Sequence, residues 1–263
     1  MHLDLQDRVV LVSGGAKGIG AAITRTFAAE GAIPCILGRN PAESDALVRE
    51  LAALDQRADF FPCEMTDESA VRSAVAAVLA KHRRIDCVVN NAGVNDGVGL
   101  RASTADFRAS LERNLVHAFV LVQAALDALI ATRGTIINIG TKCADTGQGG
   151  TSGYVAAKGA LNALTREWAL ELAKHSIRVN AVIPAEVMTP LYERWLSTRP
   201  DPRAALAAIE ASIPFEHRMT TAHEIANTVV FLASPRSSHT TGQILYVDGG
   251  YTHLDRAATL PKS

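Results

Sequence analysis

The feature that most constrains the fold is a glycine-rich turn close to the start of the sequence. Gly14, Gly18 and Gly20 are spaced G-x-x-x-G-x-G, between an apolar run at 8–12 that predicts a strand and an amphipathic stretch at 19–30 that predicts a helix. Glycine permits a tight turn and a close approach of the backbone to a pyrophosphate, and the start of the helix offers N–H groups to the phosphates. The strand–turn–helix context favours a dinucleotide site over the alternative of ordinary turn glycines.

Short apolar runs alternate with longer amphipathic stretches through the rest of the chain. The runs predict strands at 8–12, 33–37, 58–63, 86–89, 135–139, 177–183 and 243–247, and the stretches predict helices at 19–30, 43–54, 67–82, 105–131, 153–174 and 222–233. Parallel strands need a crossover, which a helix usually supplies. The pattern therefore predicts an α/β fold with a doubly wound, seven-stranded parallel sheet in three layers, a Rossmann fold, in a single domain over residues 1–263.

One segment, at residues 188–217, departs from this alternation. It is rich in proline, aromatic and charged residues, and it separates the sixth predicted strand from the last predicted helix. Ligands bind at the carboxyl ends of the strands in this architecture, and an insertion there is well placed to cover them. We therefore predict that this segment is a substrate lid.

Composition and charge argue against several classes of protein. The 263 residues are 48% hydrophobic and 20% charged with a formal net charge of −1, and no charge asymmetry indicates a nucleic-acid or membrane partner. No stretch reaches the ~18–20 uninterrupted apolar residues of a membrane span, and the first residues lack the pattern of a signal peptide. The four cysteines are scattered without the spacing of a metal site, so we expect no metal and a reducing, cytoplasmic location.

The end of the second predicted strand bears on the choice of cofactor. A carboxylate there would bind the 2′-hydroxyl of the adenosine ribose, but residues 37–40 read Leu-Gly-Arg-Asn. Arg39 would instead meet a 2′-phosphate, and Lys17 in the glycine turn would add a second cation. We therefore predict that NADP is the preferred cofactor, with NAD still possible and a solvated surface arginine as the alternative for Arg39.

Tyr154 and Lys158 are the candidate catalytic pair. They are four residues apart in a predicted helix, so their side chains share one face. A lysine ammonium near a phenol lowers the phenol pKa from its usual ~10, which suits the phenol to move protons at neutral pH. The spacing is common by chance. However, Thr141 and Asn91 follow predicted strands and Asn114 lies in the long predicted helix, where this fold gathers its active site.

Taken together, these motifs resemble the short-chain dehydrogenase/reductase family along almost the whole sequence. The matching positions are 14–20, 90–93, 114, 154–158, 178–180, 184–189 and 248–250. The resemblance implies an NAD(P)-dependent oxidoreductase in which Tyr154 is the general acid/base, Lys158 holds the nicotinamide ribose and tunes Tyr154, and Asn114 holds a proton-relay water. It also implies that Thr141 polarises the substrate oxygen, in place of the serine that is usual there.

The resemblance extends to the cofactor contacts. It implies that residues 184–189 wrap the nicotinamide carboxamide, and that Glu64 replaces the aspartate that usually binds the adenine amino group. The predicted cofactor-binding residues are Gly14, Ala16, Lys17, Gly18, Ile19, Gly20, Gly38, Arg39, Asn40, Glu64, Met65, Asn91, Ala92, Gly93, Tyr154, Lys158, Pro184, Val187 and Thr189.

Within the family, the sequence is similar to members that oxidise sugars such as L-fucose. The shared stretches lie at 90–96, 146–149, 152–154, 165–168, 184–192, 237–243 and 250–255. This similarity implies oxidation of an aldose, L-fucose or a related L- or 6-deoxy sugar, at the anomeric carbon to a lactone. The predicted substrate contacts combine hydrogen-bonding groups with an aromatic platform, and they are Asn95, Thr141, Lys142, Gln148, Tyr154, Glu186, Tyr192 and Trp195.

Several alternatives stay open from the sequence. Glu186 could be an exposed loop carboxylate, Lys142 a solvated surface residue, and Trp195 a lid residue that packs over the cofactor. The same chemistry could reduce a ketone, hydroxysteroid or acyl-carrier substrate, and a catalytically idle nucleotide sensor or scaffold is the alternative from another class. The family resemblance also leads us to expect a homotetramer, built through the long helices and the C-terminal segment.

Overall fold

The computed structural model describes residues 2–254, so Asp255, the last residue of the sugar-related stretches, lies outside the described residues. The strands are β1 (Val9–Ser13), β2 (Ile33–Gly38), β3 (Asp59–Pro62), β4 (Cys87–Asn90), β5 (Thr135–Ile139), β6 (Arg178–Pro184) and β7 (Ile244–Val247). The helices are α1 (Gly18–Ala29), α2 (Pro41–Ala52), α3 (Glu68–His82), α4 (Thr104–Leu111), α5 (His117–Thr132), α6 (Cys143–Thr146), α7 (Ser152–Glu171), α8 (Pro190–Ser197), α9 (Pro202–Ala211) and α10 (Ala222–Ala233). A π-helical turn spans Glu112–Val116, and 3₁₀ turns span Ala173–His175 and Pro235–Ser237.

The strands form one sheet in the order β3-β2-β1-β4-β5-β6-β7, and every neighbouring pair is parallel. β1 pairs with β2 on one side, with Val9 opposite Ile33, and with β4 on the other side, with Val10 opposite Cys87. The strand order therefore reverses at β1, and a crevice opens between the carboxyl ends of β1 and β4. The predicted doubly wound parallel sheet is confirmed.

Strand β1 illustrates why helices cover both faces of the sheet. Successive side chains of a strand point to opposite faces, and every residue of β1 is buried. Val9 and Leu11 pack in a core cluster with α3, α5 and α7, whereas Val10 and Val12 pack in a second cluster with α1 and α10. Helix α2 packs against α1 in a smaller cluster on the same side. The result is a three-layer arrangement whose central sheet is apolar on both faces.

The helix predicted at 105–131 is interrupted in the structure. It runs as α4, passes through the π-helical turn at Glu112–Val116 and continues as α5. A π-helical turn adds one residue to the usual helical repeat and is frequent at functional sites, and here it carries the fully buried Asn114. Hydrophobic periodicity does not distinguish a π turn from an α turn, which is why the sequence pattern missed it.

The helical segment Thr104–Thr132 is also long enough and apolar enough to cross a bilayer, with a mean hydropathy of 1.8 over its most apolar window. One side of it belongs to the protein core, where Leu121 and Leu129 are fully buried. Packing against the sheet and α3 accounts for the apolar character of that side. The opposite side carries Phe119, which is 47% exposed.

Residues 188–217 contain two short helices that the sequence analysis did not predict. Helix α8 begins after Thr189, whose hydroxyl accepts a hydrogen bond from the backbone N–H of Tyr192 at 3.2 Å. Helix α9 begins after Asp201, whose carboxylate accepts hydrogen bonds from two backbone N–H groups. A threonine or aspartate cap followed by proline is a common start of a helix. These caps fix α8 directly beyond the carboxyl end of β6.

The buried imidazole at the start of α5 makes stability depend on pH. His117 is 3% exposed, and burial lowers its pKa from 6.5 to about 4. The unfolded chain therefore binds more protons than the folded chain between these values, and the free energy of unfolding falls as the pH is lowered through that window. We expect a loss of about 2 kcal/mol between pH 7 and pH 4.5 that is absent in a His117→Asn variant, measured by urea unfolding.

The matched control for this experiment is His239→Asn, because His239 is exposed. That variant should keep the same dependence of stability on pH as the wild-type protein. Parallel stability curves for the wild-type protein and the His117→Asn variant would contradict the assignment.

Candidate active site

Two positions of the glycine turn between β1 and α1 can be occupied only by glycine. Gly14 has a φ of +64°, a conformation that favours glycine. A Cβ atom on Gly20 would lie 2.2 Å from the carbonyl oxygen of Gly14 and 2.6 Å from Nδ2 of Asn91. Both positions therefore require glycine, for different reasons: the first for its backbone conformation and the second for the close approach of the turn to the helix.

Ser13 and Asn91 hydrogen-bond this turn to the segment that follows β4. The Ser13 hydroxyl accepts hydrogen bonds from the backbone N–H groups of Asn91 and Ala92, both at 3.0 Å. The side-chain amide of Asn91 donates to the carbonyl oxygens of Ser13 at 2.9 Å and Gly14 at 3.1 Å. These hydrogen bonds fix the position of the glycine turn relative to the segment that follows β4, on the other side of the crevice.

The first turn of α1 faces this crevice with unused donors. The residue before the helix, Lys17, makes no side-chain capping bond, so the first backbone N–H groups of α1 have no partner from that cap. Free N–H groups at a helix N-terminus, beside a turn that only glycine can form, fit the pyrophosphate of a dinucleotide. The residues present at this end of the sheet therefore suit a nicotinamide dinucleotide.

Two ion pairs border the end of β2, where the adenosine ribose of a dinucleotide would lie. Arg39 Nη1 is 3.3 Å from Glu64 Oε2, and Lys17 pairs with Glu43 in the first turn of α2. The Arg39 side chain is 76% exposed, and exposed ion pairs contribute little to stability, so Arg39 can exchange Glu64 for a phosphate. The sequence analysis missed Glu43, which brings a carboxylate to a position where the strand end itself has none.

Tyr154, near the start of α7, meets Thr141, which lies just beyond β5. Thr141 lowers the pKa of Tyr154. Burial has the larger effect, and it raises that pKa from 10 to about 12. A buried phenol keeps its proton because the phenolate loses the solvation that water would give it.

Lys158 lies one helical turn after Tyr154 and is 3% exposed. Its Nζ donates a hydrogen bond to the carbonyl oxygen of Ile139, at the end of β5, at 2.8 Å, and burial lowers its pKa from 10.5 to about 8. The ammonium is therefore directed at the strand end. The expected lowering of the Tyr154 pKa by Lys158 stays a prediction.

Asn114, in the π-helical turn, is placed beside Lys158 by the loop that follows β4. Its Oδ1 accepts a hydrogen bond from the backbone N–H of Val94 at 2.7 Å, and its Nδ2 donates to the carbonyl oxygen of Ser110 at 3.0 Å. A Cβ atom on Gly93 would lie 3.0 Å from Asn114 Oδ1 and 3.2 Å from Lys158 Nζ. The Asn114 side chain therefore fixes the loop against the catalytic lysine, and the proton-relay water stays a prediction.

A chain of buried hydrogen bonds joins the catalytic helix to the sheet. Asn90 Nδ2 on β4 donates to Asn138 Oδ1 on β5 at 2.8 Å, and Asn138 Nδ2 donates to Thr165 Oγ1 on α7 at 2.9 Å. All three side chains are almost completely buried. The periodicity of the sequence does not predict these hydrogen bonds. Two asparagines in apolar strands are nevertheless unusual enough to indicate a buried polar contact.

The turn, the strand ends and the catalytic pair surround one cleft of about 990 Å³. Every residue predicted to bind the cofactor lines this cleft. The predicted substrate contacts Thr141, Tyr154 and Tyr192 line it as well, whereas Asn95, Lys142, Gln148, Glu186 and Trp195 are not on its wall. Arg113 and Arg194, which the sequence analysis did not single out, contribute cations to it.

Two of the predicted substrate residues that are not on the wall, Lys142 and Glu186, meet next to Tyr192, which is on it. Lys142 and Glu186 form an ion pair, and the Tyr192 hydroxyl donates a hydrogen bond to Glu186 Oε2 at 2.7 Å. The side chains of Lys142 and Glu186 are only 11% and 14% exposed. Neither is therefore the solvated surface residue that the sequence left open.

The remaining predicted substrate residues lie farther out. Gln148 is exposed, and its amide oxygen accepts a hydrogen bond from the Cys143 thiol at 2.8 Å. Trp195 is 42% exposed and packs edge-on against Tyr192, with 5.3 Å between ring centroids. Asn95 accepts a hydrogen bond from an N–H of its own loop at 3.3 Å.

A cluster of side chains with potential metal-binding atoms lies elsewhere. Cys35, Asp59 and His82 have ligand atoms within 4.8 Å of one another, near the amino ends of β2 and β3 and so away from the cleft. The sequence spacing gave no sign of this cluster. Both carboxylate oxygens of Asp59 are taken, one by His82 and one by Lys81, and burial raises the pKa of the Cys35 thiol. The contacts present are those of an ion-pair cluster.

Removal of the Thr165 hydroxyl tests the series of buried hydrogen bonds that joins α7 to the sheet. In a Thr165→Val variant, Asn138 Nδ2 loses its acceptor in the core, and we expect a loss of about 1–3 kcal/mol of unfolding free energy in urea. The control is Thr26→Val, because the Thr26 hydroxyl makes the same kind of bond to the carbonyl four residues before it but accepts none from a buried amide. Equal stability of the two variants would refute a positioning role for Thr165.

Known proteins resemble this chain over nearly its full length. A sequence model of a protein family described as enoyl-(acyl carrier protein) reductase matches residues 14–252. L-fucose dehydrogenase from Mus musculus is 38% identical over 245 residues, which cover 92% of this chain and 88% of the relative. The 3-oxoacyl-[acyl-carrier-protein] reductase FabG from Thermotoga maritima is 35% identical over 248 residues, which cover 94% of this chain and 98% of the relative.

Two solved structures extend the likeness to three dimensions. The crystal structure of Cj0485 dehydrogenase superposes with a TM-score of 0.93 at 45% identity and covers 98% of both chains. The ligand-free aldohexose dehydrogenase of Thermoplasma acidophilum superposes with a TM-score of 0.87 at 29% identity and covers 100% of this chain and 99% of that one. With the glycine turn and the Thr141–Tyr154–Lys158 arrangement in place, the chain belongs to the short-chain dehydrogenase/reductase family and is an oxidoreductase of that family, whose dehydrogenases use NAD or NADP.

Proposed function

We propose that the protein oxidises an aldose, L-fucose or a related L- or 6-deoxy sugar, at the anomeric carbon to a lactone. The observation that carries the proposal is the ion pair of Lys142 and Glu186, which a hydrogen bond joins to Tyr192 on the wall of the cleft. A polyhydroxylated substrate can add hydrogen bonds to these groups, whereas an apolar substrate would desolvate them without new partners. The names of two similar proteins, an L-fucose dehydrogenase and an aldohexose dehydrogenase, point to the same substrate class.

The chemistry assigned to the chain is proton transfer at the anomeric hydroxyl. When bound, a nicotinamide dinucleotide supplies the acceptor for the hydride that leaves the anomeric carbon. Tyr154 takes the hydroxyl proton as its phenolate, and the Thr141 hydroxyl donates a hydrogen bond to the oxygen that becomes the lactone carbonyl. Lys158 stands one turn from Tyr154, where its ammonium would hold the ribose hydroxyls of a bound cofactor. It would release one of its own protons to solvent and then take up the proton that Tyr154 passes on.

NADP is the cofactor that we propose as preferred. Arg39 and Lys17 are the two cations at the end of β2, and a 2′-phosphate would replace the carboxylates that they now contact. Glu43 opposes this preference, because a carboxylate beside Lys17 repels a phosphate and accepts a hydrogen bond from a ribose hydroxyl. We therefore expect a moderate preference, with measurable use of NAD.

A reductase of ketone or acyl-carrier substrates is the second candidate. The similarity to FabG and the description of the matching family model favour it. The same Tyr154 and Thr141 would then donate hydrogen bonds to a ketone oxygen. The buried ion pair behind Thr141 disfavours this candidate. A catalytically idle nucleotide sensor is disfavoured by the presence of Thr141, Tyr154 and the buried Lys158 on the same cleft.

The deciding experiment is a nicotinamide-absorbance assay of the purified protein with NADP and NAD, against L-fucose, D-arabinose and L-galactose, with an NADPH-driven assay of ketones alongside. We expect reduction of NADP with L-fucose and a loss of at least about 100-fold in kcat for Tyr154→Phe. The rate of oxidation should increase with pH above neutrality, because a phenol with a pKa of about 12 is rarely ionised at pH 7.

Each outcome of this assay selects one reading. Turnover of ketones with NADPH and of no aldose would replace the sugar proposal by the reductase. Turnover that survives in Tyr154→Phe would remove the assigned role of the phenol.

An Arg39→Ala variant should lose most of its activity with NADP and keep its activity with NAD. An unchanged ratio of the NADP-linked to the NAD-linked activity would reject the cofactor proposal.

We further propose that the protein is a homotetramer. The outer faces of the long helices carry exposed apolar side chains, Phe119 on α5 at 47% exposure and Leu170 on α7 at 78%, and such residues are typical of subunit interfaces. Light scattering should give four times the chain mass of 27.9 kDa. A Leu170→Arg variant should give a smaller species, whereas Leu54→Arg, at an exposed residue just beyond α2, should not. A monomeric wild-type mass would refute the tetramer.

A further inference from the structure

Four side chains from four separate segments form a cluster behind Thr141, which we call the Glu186 cluster: Lys142, Glu186, Tyr192 and Tyr251. Lys142 Nζ pairs with Glu186 Oε1, and the Tyr192 hydroxyl donates to Glu186 Oε2 at 2.7 Å. The same Nζ lies 3.6 Å from the centre of the Tyr251 ring, near the C-terminus. The carboxylate is thus held at both oxygens by groups on different elements.

The backbone beneath the Glu186 cluster is fixed as well. The N–H of Lys142 donates to the carbonyl oxygen of Pro184 at 3.0 Å, and the N–H of Thr220 donates to the carbonyl oxygen of Glu186 at 3.0 Å. An isolated β-bridge between Val187 and Thr220 holds the same segment. The carboxylate therefore has a defined position next to Tyr192, which lines the cleft.

The Glu186 cluster has hydrogen-bonding capacity left over. A carboxylate accepts about four hydrogen bonds and an ammonium donates three, and the contacts of Glu186 and Lys142 within the cluster use only part of these. Burial and the neighbouring Glu186 raise the pKa of Tyr192, so its hydroxyl stays a donor and leaves the free lone pairs of Glu186 to other donors. Paired donors at a fixed spacing on a ligand, such as two adjacent sugar hydroxyls, match this arrangement.

We propose that Glu186 is the specificity-determining residue of the active site, and that its carboxylate accepts hydrogen bonds from two adjacent hydroxyl groups of a cyclic aldose while Lys142 and Tyr192 hold it in place. This inference rests on the proposed aldose oxidation. The cluster would also disfavour apolar substrates, because an apolar ligand in contact with it would bury a carboxylate and an ammonium without giving them new hydrogen-bond partners.

The test compares substrates that differ by one hydroxyl group in the wild-type protein and in Glu186→Gln, which keeps the shape of the side chain and removes its charge. In the wild-type protein, kcat/KM should fall about 10- to 100-fold from L-fucose to its 2-deoxy or 3-deoxy analogue, the effect of one hydrogen bond to a charged group. In Glu186→Gln, kcat/KM for L-fucose itself should fall by a similar factor, mainly through KM. The penalty for the missing hydroxyl should then shrink to about threefold or less.

Two further measurements separate recognition from damage to the fold. The affinity of Glu186→Gln for NADPH, followed by cofactor fluorescence, should equal that of the wild-type protein. Glu216→Gln is the matched control, because Glu216 is an exposed carboxylate paired with Arg218 beyond α9, and it should keep the wild-type discrimination between L-fucose and its deoxy analogues. Should Glu186→Gln fail to fold, Tyr192→Phe decides, since it removes only one hydroxyl group next to the carboxylate and should raise the KM for L-fucose about three- to tenfold.

The outcomes distinguish this inference from the function on which it rests. Suppose that aldoses are oxidised, and that kcat/KM falls by the same factor from L-fucose to its deoxy analogues in the wild-type protein and in Glu186→Gln. This result would overturn the role of Glu186 and leave aldose oxidation standing. Equal turnover of L-fucose and both deoxy analogues by the wild-type protein would overturn it too. Failure of the wild-type protein to oxidise any aldose would remove the proposed function and this inference together.

Discussion

The position of the active site depends on a side-chain amide buried at the centre of the sheet. Asn138 on β5 is fully buried and joins Asn90 on β4 to Thr165 on α7. An unpaired amide in an apolar core costs more than a paired one contributes, so α7 is most stable where Thr165 reaches Asn138. The same helix carries Tyr154 and Lys158 about two to three turns earlier. The bond that satisfies one strand residue therefore also sets the place of the catalytic pair above the sheet.

The ion pair of Lys142 and Glu186 needs a different explanation from the amide chain. Burying two charges costs desolvation energy that their mutual attraction only partly returns, and an apolar pair of similar size is often as stable. Stability alone thus gives little reason for this pair so close to Thr141. In the proposed aldose site the pair would be useful, because a carboxylate already held by protein donors would need no reorganisation when a ligand with hydroxyl groups arrives.

Features that repeat along the chain could be predicted from the sequence, and features that join distant residues could not. The alternation of apolar runs and amphipathic stretches predicted the seven parallel strands, because each strand must be apolar on both faces. The glycine spacing identified a turn in which Gly20 allows no Cβ atom. Nothing local indicated that Glu43 would pair with Lys17, or that Lys142 would meet a carboxylate 44 residues away. The π-helical turn at Asn114 escaped because it leaves the apolar pattern of the helix unchanged.

Burial shifts the pKa values of Tyr154 and Lys158 in opposite directions. It raises the pKa of Tyr154 to about 12 and lowers that of Lys158 to about 8, so that burial favours the neutral form of both. The sequence led us to expect that the ammonium would offset this for the phenol, which stays a prediction; in the structure Lys158 donates to the carbonyl oxygen of Ile139. Thr141 acts against burial and lowers the pKa of the phenol. A hydroxyl group at position 141 therefore favours the ionisation of Tyr154, an effect that an apolar side chain there would not have.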